Sequence, residues 1–262
     1  MQHDSLPSLT HTAAPWSAHW GELRNRLLWC IAVYLVCFGL SLYGAEYIYR
    51  FLTAPLLQAF HLSHQTHAQL IYTSLTEAFS TYIRLALYVA WGLGLPFFLF
   101  QLYRFVAPGL YPHERGKILP YLIAGPVLFI CGCWLCYTHI FPLAWQFFLS
   151  FEISATPGAM PISLMPKMSE YLSLVVQCMI AFGLAFQLPV VVVMLGHLGI
   201  LSAQTLVKKR KYAIILIFAI AAVITPPDAL SQIGLAVPMM VLYEGAIVGV
   251  KLLEKKRRQK HA

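Results

Sequence analysis

Charge is what this chain has least of. Only 11% of its 262 residues are Asp, Glu, Lys or Arg, and only ten are acidic, against about 25% charged residues in ordinary soluble domains. So few charges exclude a conventional soluble surface, and a mean hydropathy of +0.69 points to lipid as the solvent. The marks of catalysis are missing too. There is no Gly-rich phosphate loop, no HExxH zinc pair and no GxSxG turn, so no enzyme is expected. Intramembrane proteolysis needs a nucleophile beside a base inside the apolar segments. His139 is the only histidine those segments hold, near an end and without an evident partner. The first 18 residues are polar and contain proline, with no short apolar core and small-residue cleavage site after them. A cleaved secretory leader is therefore not expected. No internal repeat is visible, which weighs against inverted-repeat solute transporters. Metal and cofactor are not expected: His61-x-x-His64-x-x-His67 lacks a third ligand type. All six cysteines fall in apolar segments, which argues against a disulfide framework. Cys131-x-Cys133-x-x-Cys136 reads as small packing residues, since helical spacing splays them around the axis.

What is there is six apolar segments: about 27–45, 78–103, 119–141, 171–195, 212–225 and 230–250. The expected fold is an all-α membrane protein of six transmembrane helices. It forms a single polytopic domain over 1–262, with a polar N-terminal tail (1–18) and a basic C-terminal tail (251–262). Short fifth and sixth spans are expected. Fourteen residues of the fifth cover about 21 Å, against a hydrocarbon core of about 30 Å. Such a helix thins the bilayer, is covered by neighbours, or associates. Prolines at 96, 126, 142, 189 and 238 predict kinked helices around a concave side. Aromatics in 46–74 and around Trp145, Phe147 and Phe151 predict amphipathic pieces capping the outer interface.

The net charge of +8 would suggest nucleic acid in a soluble chain; in a membrane chain it reads as topology. With both termini cytoplasmic, the inner side carries the basic residues at 24 and 26, at 104, 115 and 117, at 208–211, and throughout the C-terminal tail. The outer side carries only Arg50 and Lys167.

Some polar residues need a reason. Glu22 sits in the basic flank of the first segment, beside Arg24 and Arg26, and Glu114 sits in the first inner loop beside Arg115. Either the two acids form a patch that receives two guanidinium groups by bidentate hydrogen bonds, or each neutralises a neighbouring arginine. Gln187 lies inside the fourth segment, two residues before Pro189, which deprives the Ala185 carbonyl of its helical donor. Gln187 either satisfies that carbonyl or faces a cavity and contacts a polar segment of a partner. Glu77 and Arg84 share a helix face about 10.5 Å apart along the axis. Their spacing suggests a structural role, with the long side chains partly closing the gap or Arg84 snorkelling outward. Asp228, in Thr225-Pro226-Pro227-Asp228, is placed to cap the last helix, with Ser231 nearby.

The ordered set of motifs resembles the TatC family, the multispanning receptor subunit of the twin-arginine protein translocase. The matching pieces are 19–26, Ala54-Pro55-Leu56, 104–111, His113-Glu114-Arg115, Tyr171-Leu172-Ser173, 181–189, 208–212, and 225–228 through Ser231-Gln232. The resemblance implies a receptor in the bacterial cytoplasmic (inner) membrane. It would bind twin-arginine signal peptides of folded cargo and scaffold a translocation site driven by the proton-motive force. Its partners would be TatA- and TatB-type single-span subunits and further copies of itself in a receptor complex. By position, Glu22 and Glu114 would take the signal arginines, with Arg24, Phe105 and Arg115 on the same surface. Gln187 would contact a partner within the membrane; Pro55, Pro108, Pro189, Asp228 and Gln232 would be structural. The family usually has glutamate where this chain has Gln187, and a glutamine carries no titratable proton. The family also often has a further arginine where this chain has Gly116. The alternative reading is a small-solute secondary transporter with Gln187 at its midplane.

Overall fold

The computed structural model describes residues 16–62, 69–106, 112–152, 164–224 and 229–261. They form ten α-helices: α1 (Trp16–Tyr43), α2 (Ala45–Leu62), α3 (Glu77–Val106), α4 (Pro112–Leu135), α5 (Phe141–Leu149), α6 (Met168–Ala185), α7 (Leu188–His197), α8 (Ala203–Lys208), α9 (Arg210–Ile224) and α10 (Ala229–His261). Five stretches are long and apolar enough to cross a membrane: Trp20–Tyr43, Glu77–Phe105, Pro120–Leu149, Met168–His197 and Gln232–Arg257. The expected fifth span falls on α9, whose fifteen residues cover about 22 Å. Only this fifth span is short. The expectation of a short sixth is corrected by α10, which runs 33 residues. Its apolar run passes without a breaker into a Lys- and Arg-rich stretch of good helix formers.

Side-chain contacts fix the alternation of direction. Arg26 of α1 reaches Gln101 of α3. Tyr121 of α4 meets His197 of α7, and the carbonyl of His197 accepts from Arg257 of α10. The start of α1 and the far end of α10 therefore share one end of the bundle.

Proline explains the breaks. Pro142 cannot donate to its preceding turn, and the backbone before it widens into a π turn over Cys136–Ile140, where the Phe141 amide reaches back to the Cys136 carbonyl. The third span thereby continues to Leu149, past the expected end at 141. At the opposite end of the bundle from the start of α1, α2 lays a buried face of Leu52, Pro55, Leu56, Ala59 and Phe60 against α5. Pro55 leaves the Phe51 carbonyl, four residues earlier, without a helical donor. The Tyr137 hydroxyl donates to that oxygen at 2.9 Å, with the two rings stacked 4.4 Å apart. The Tyr171 hydroxyl donates to the next carbonyl, Leu52, at 2.8 Å. The cap is thus held by two hydroxyls, and that of Tyr137 answers a proline.

A second fastening lies nearby. Glu77 takes donations from the Thr73 amide (2.7 Å) and hydroxyl on one oxygen, and from the Ser169 hydroxyl (2.6 Å) on the other. It joins the loop before α3 to the first turn of α6, beside a parallel bridge between Ile71 and Lys167. The Glu77 carboxylate is therefore turned to these donors and not toward Arg84, which is exposed. The core centres on α6, whose Val175 and Phe182 are fully enclosed. It packs closely on α4 at Gly132, where a β-carbon would stand 2.6 Å from the Phe182 carbonyl oxygen. Small residues allow this approach in membrane helices.

Candidate functional site

At the end of the bundle where α1 starts and α10 finishes, α1 and α3 enclose an open groove of about 570 Å³. It is lined by Glu22, Asn25, Arg26, Trp29, Phe97, Phe100, Gln101 and Arg104. Glu22 and Arg26 are one turn apart, with the acid nearer the helix N-terminus, the favoured order for an ion pair on a helix. The Arg26 guanidinium grips one Glu22 oxygen through two nitrogens, with Nε at 3.2 Å. Its remaining nitrogen reaches Gln101 Oε1 at 3.5 Å. Arg104 lies over the Phe100 ring, 5.9 Å from its centroid. The groove is a carboxylate already holding a guanidinium, walled by aromatics that suit planar cations. In this state Glu22 answers its neighbouring arginine, the plainer of the two readings the sequence leaves open.

Arg24 is exposed on the same turn of α1, and Phe105 is half-buried at the end of α3. Glu114 and Arg115 occupy the first turn of α4, which Pro112 opens; their side chains lie outside the described residues. Pro108 and Asp228 also lie outside them, as do His64 and His67.

A second feature lies between α3, α4 and α7. It is a cleft of about 240 Å³, lined mainly by Leu99, Leu102, Leu122, Val190, Val191 and Met194, with Gln187 and Tyr121 among its polar groups. Pro189 stands in the first turn of α7. It breaks the fourth pass into α6 and α7, leaving Gln187 as the N-cap of the second piece. The local alternative for Gln187 is not what forms. Its side chain does not fold back on Ala185; it crosses to α4, where Nε2 donates to the Gly125 carbonyl at 3.5 Å. A β-carbon on residue 125 would lie 3.3 Å from Gln187 Oε1, so glycine makes the room. Tyr121 donates to or accepts from His197 Nδ1 at 2.9 Å. Sequence reasoning put His197 beyond the fourth segment; helix α7 carries it into the span. Gln232 Nε2 donates to the Phe218 carbonyl at 3.4 Å, tying α10 to α9. No local pattern marks Gln101 or Gly125 as partners, because both matter only through residues far along the chain. Among the described residues no group of three or more His, Cys, Asp or Glu is placed to hold a metal ion.

Comparison with known proteins agrees with this architecture. A family described as Sec-independent protein translocase protein (TatC) matches residues 18–238. The Sec-independent protein translocase protein TatC of Rickettsia prowazekii (strain Madrid E) is 43% identical over 239 residues, 91% of this chain and 93% of the relative. The TatC of Escherichia coli (strain K12) is 36% identical over 241 residues, 92% of this chain and 86% of the relative. A crystal structure of the twin arginine translocase receptor TatC superposes with a TM-score of 0.74 at 33% identity, covering 90% of this chain and 99% of that one.

Proposed function

The chain belongs to the TatC family of Sec-independent protein translocases, and on that premise we propose how its two features divide the work. The groove at Glu22 receives the paired arginines of a twin-arginine signal peptide at the cytoplasmic face. Glu22 takes one guanidinium and Glu114 the other, while Arg24, Phe105 and Arg115 shape the surface. The observation that carries this reading is the Glu22–Arg26 pair. A site that already grips a guanidinium through two nitrogens has the geometry to grip another. A signal arginine then exchanges with Arg26 and does not add a new ion pair. A single exchange gains little, since exposed pairs contribute about 0.2–1 kcal/mol. A second acid makes the exchange favourable and selects for two adjacent arginines.

The cleft at Gln187 is the contact for a polar side chain on a partner helix of the TatA or TatB type. An amide both donates and accepts but carries no titratable proton, so its role is hydrogen bonding. Pro55, Pro108, Pro189, Asp228 and Gln232 hold the scaffold, and copies of the chain associate in the receptor complex. The protein resides in the bacterial cytoplasmic membrane with both ends inside, and the proton-motive force drives transport without nucleotide hydrolysis by this subunit. Family membership sets aside the solute-transporter reading.

Site-specific photocrosslinking tests the division of labour. Probes at positions 22, 187 and along α9 are placed in membranes containing the partner subunits and a twin-arginine precursor. Position 22 should capture signal peptide, and position 187 a single-span partner. Capture of neither, with the probes well expressed, would sink the assignment.

A further inference from the structure

We propose that the surface formed by α8, the start of α9 and the extension of α10 binds the phosphate headgroups of anionic phospholipids. Two basic runs some forty residues apart in the chain converge there. Lys208, Lys209 and Lys211 are exposed at the junction of α8 and α9; Lys251, Lys255 and Lys256 are exposed along α10.

Specific bonds fasten the two runs together. The Glu254 carboxylate accepts the Ala203 amide at 2.8 Å and so caps α8. The Tyr243 hydroxyl donates to the Leu206 carbonyl at 3.0 Å. Arg257 donates to the His197 carbonyl at 2.5 Å, where α7 ends. These contacts hold the last turns of α10 beside the loop they would otherwise leave behind.

The two acids of this region already have partners. Glu244 is paired with Arg210 at 2.7 Å, and Glu254 is committed to the backbone of α8. Among the described residues none of the six lysines is in an ion pair. Topology alone asks only that lysines lie somewhere on this side of the membrane. It does not ask that distant runs be bolted into one patch whose two acids are already engaged.

The length of α9 says what meets the patch. Its fifteen residues fall roughly 8 Å short of the hydrocarbon thickness, and the basic cluster begins at its first residue. Lipids beside a short helix draw their headgroups toward the midplane, and lysine stems extend outward to meet them. Tyr212, exposed beside Lys211 with its ring 5.2 Å from the ammonium, fits the same interfacial level. Each lysine near an anionic surface strengthens association about fivefold.

The test uses the full chain reconstituted in phosphatidylcholine bilayers containing a minor share of phosphatidylglycerol. Spin-labelled analogues of each lipid report the fraction held at the protein surface. The parent should retain phosphatidylglycerol over phosphatidylcholine by several-fold. Neutralising Lys208, Lys209 and Lys211 to Gln, or Lys255 and Lys256 to Gln, should bring that preference toward unity, as should high salt. Lys167→Gln, at the opposite end of the bundle, should leave it unchanged. Equal retention of the two lipids by the parent overturns the proposal, and so does an undiminished preference in both neutralised variants. Because the parent is itself a test, a variant that fails to fold does not rescue the idea.

Discussion

Replacing Gly132 with alanine should push α4 and α6 apart and loosen the frame that brings Gln187 onto Gly125. The added β-carbon would stand 2.6 Å from the Phe182 carbonyl oxygen and 2.9 Å from its carbon. Carbon and oxygen settle at roughly 3.3–3.6 Å even when the contact is attractive, so something must move by about 0.7–1 Å. The obstacle is backbone in the last turn of α6, where the Phe182 carbonyl accepts the Phe186 amide at 3.0 Å, not the tip of a flexible side chain, and Phe182 is fully enclosed. Overpacking of this kind costs about 1–3 kcal/mol. The assay is the temperature at which half of the purified, detergent-solubilised protein is lost from its monodisperse peak. Gly39→Ala is the control, since a β-carbon there meets nothing within 4 Å. Gly132→Ala should lose stability and Gly39→Ala should not. If the two behave alike, the close approach of α4 and α6 is not as described.

Tyr137, whose hydroxyl answers Pro55, gives a coupled test. Tyr137→Phe removes the donor to the Phe51 carbonyl and should cost about 1 kcal/mol of stability. In a Pro55→Ala background, where residue 55 supplies its own amide to that carbonyl, the same change should cost much less; an undiminished cost in the double mutant contradicts the argument. Gln187→Leu should weaken co-purification with the partner subunits while Gln187→Glu largely preserves it, and equal assembly by the leucine variant and the parent rejects a polar contact. Glu77→Gln places a donor where the carboxylate only accepts, so it should increase amide exchange around Thr73 and Ser169. Unchanged exchange there would mean the carboxylate is not what joins the two segments.

Much of the frame was legible because lipid leaves the chain few options. Each apolar run of about twenty residues has to be a helix that satisfies its own backbone, and the basic flanks decide which ends share a side. The short α9 was equally plain, because length is read directly from the sequence. What was not legible is what one helix does to another. Pro142 announces a break, yet whether the chain ends there or widens into a π turn depends on the neighbours that bury Phe141 and Trp145. Glu77 and Arg84 share a face, but Ser169, more than eighty residues on, supplies the donor that turns the carboxylate away. Gln187 stands out as an amide in an apolar run. That it crosses to α4 depends on Gly125, which has no side chain to draw notice. At Glu22 the i, i+4 spacing did announce Arg26, so that part of the site was open to local reading.

The central proposal is that Glu22, by releasing Arg26, and Glu114 receive the two arginines of a signal peptide. Its most direct test is the affinity of purified protein for a twin-arginine peptide, compared with Glu22→Ala, Glu114→Ala and the double variant. Glu22 and Arg26 are partly exposed, at 36% and 16% of their side-chain surface. Glu22 should therefore contribute about 1 kcal/mol, or roughly fivefold in Kd. The account predicts a modest loss for each single variant, a much larger loss for the pair, and weaker dependence on salt in all three. A double variant that binds the peptide as tightly as the parent would contradict it.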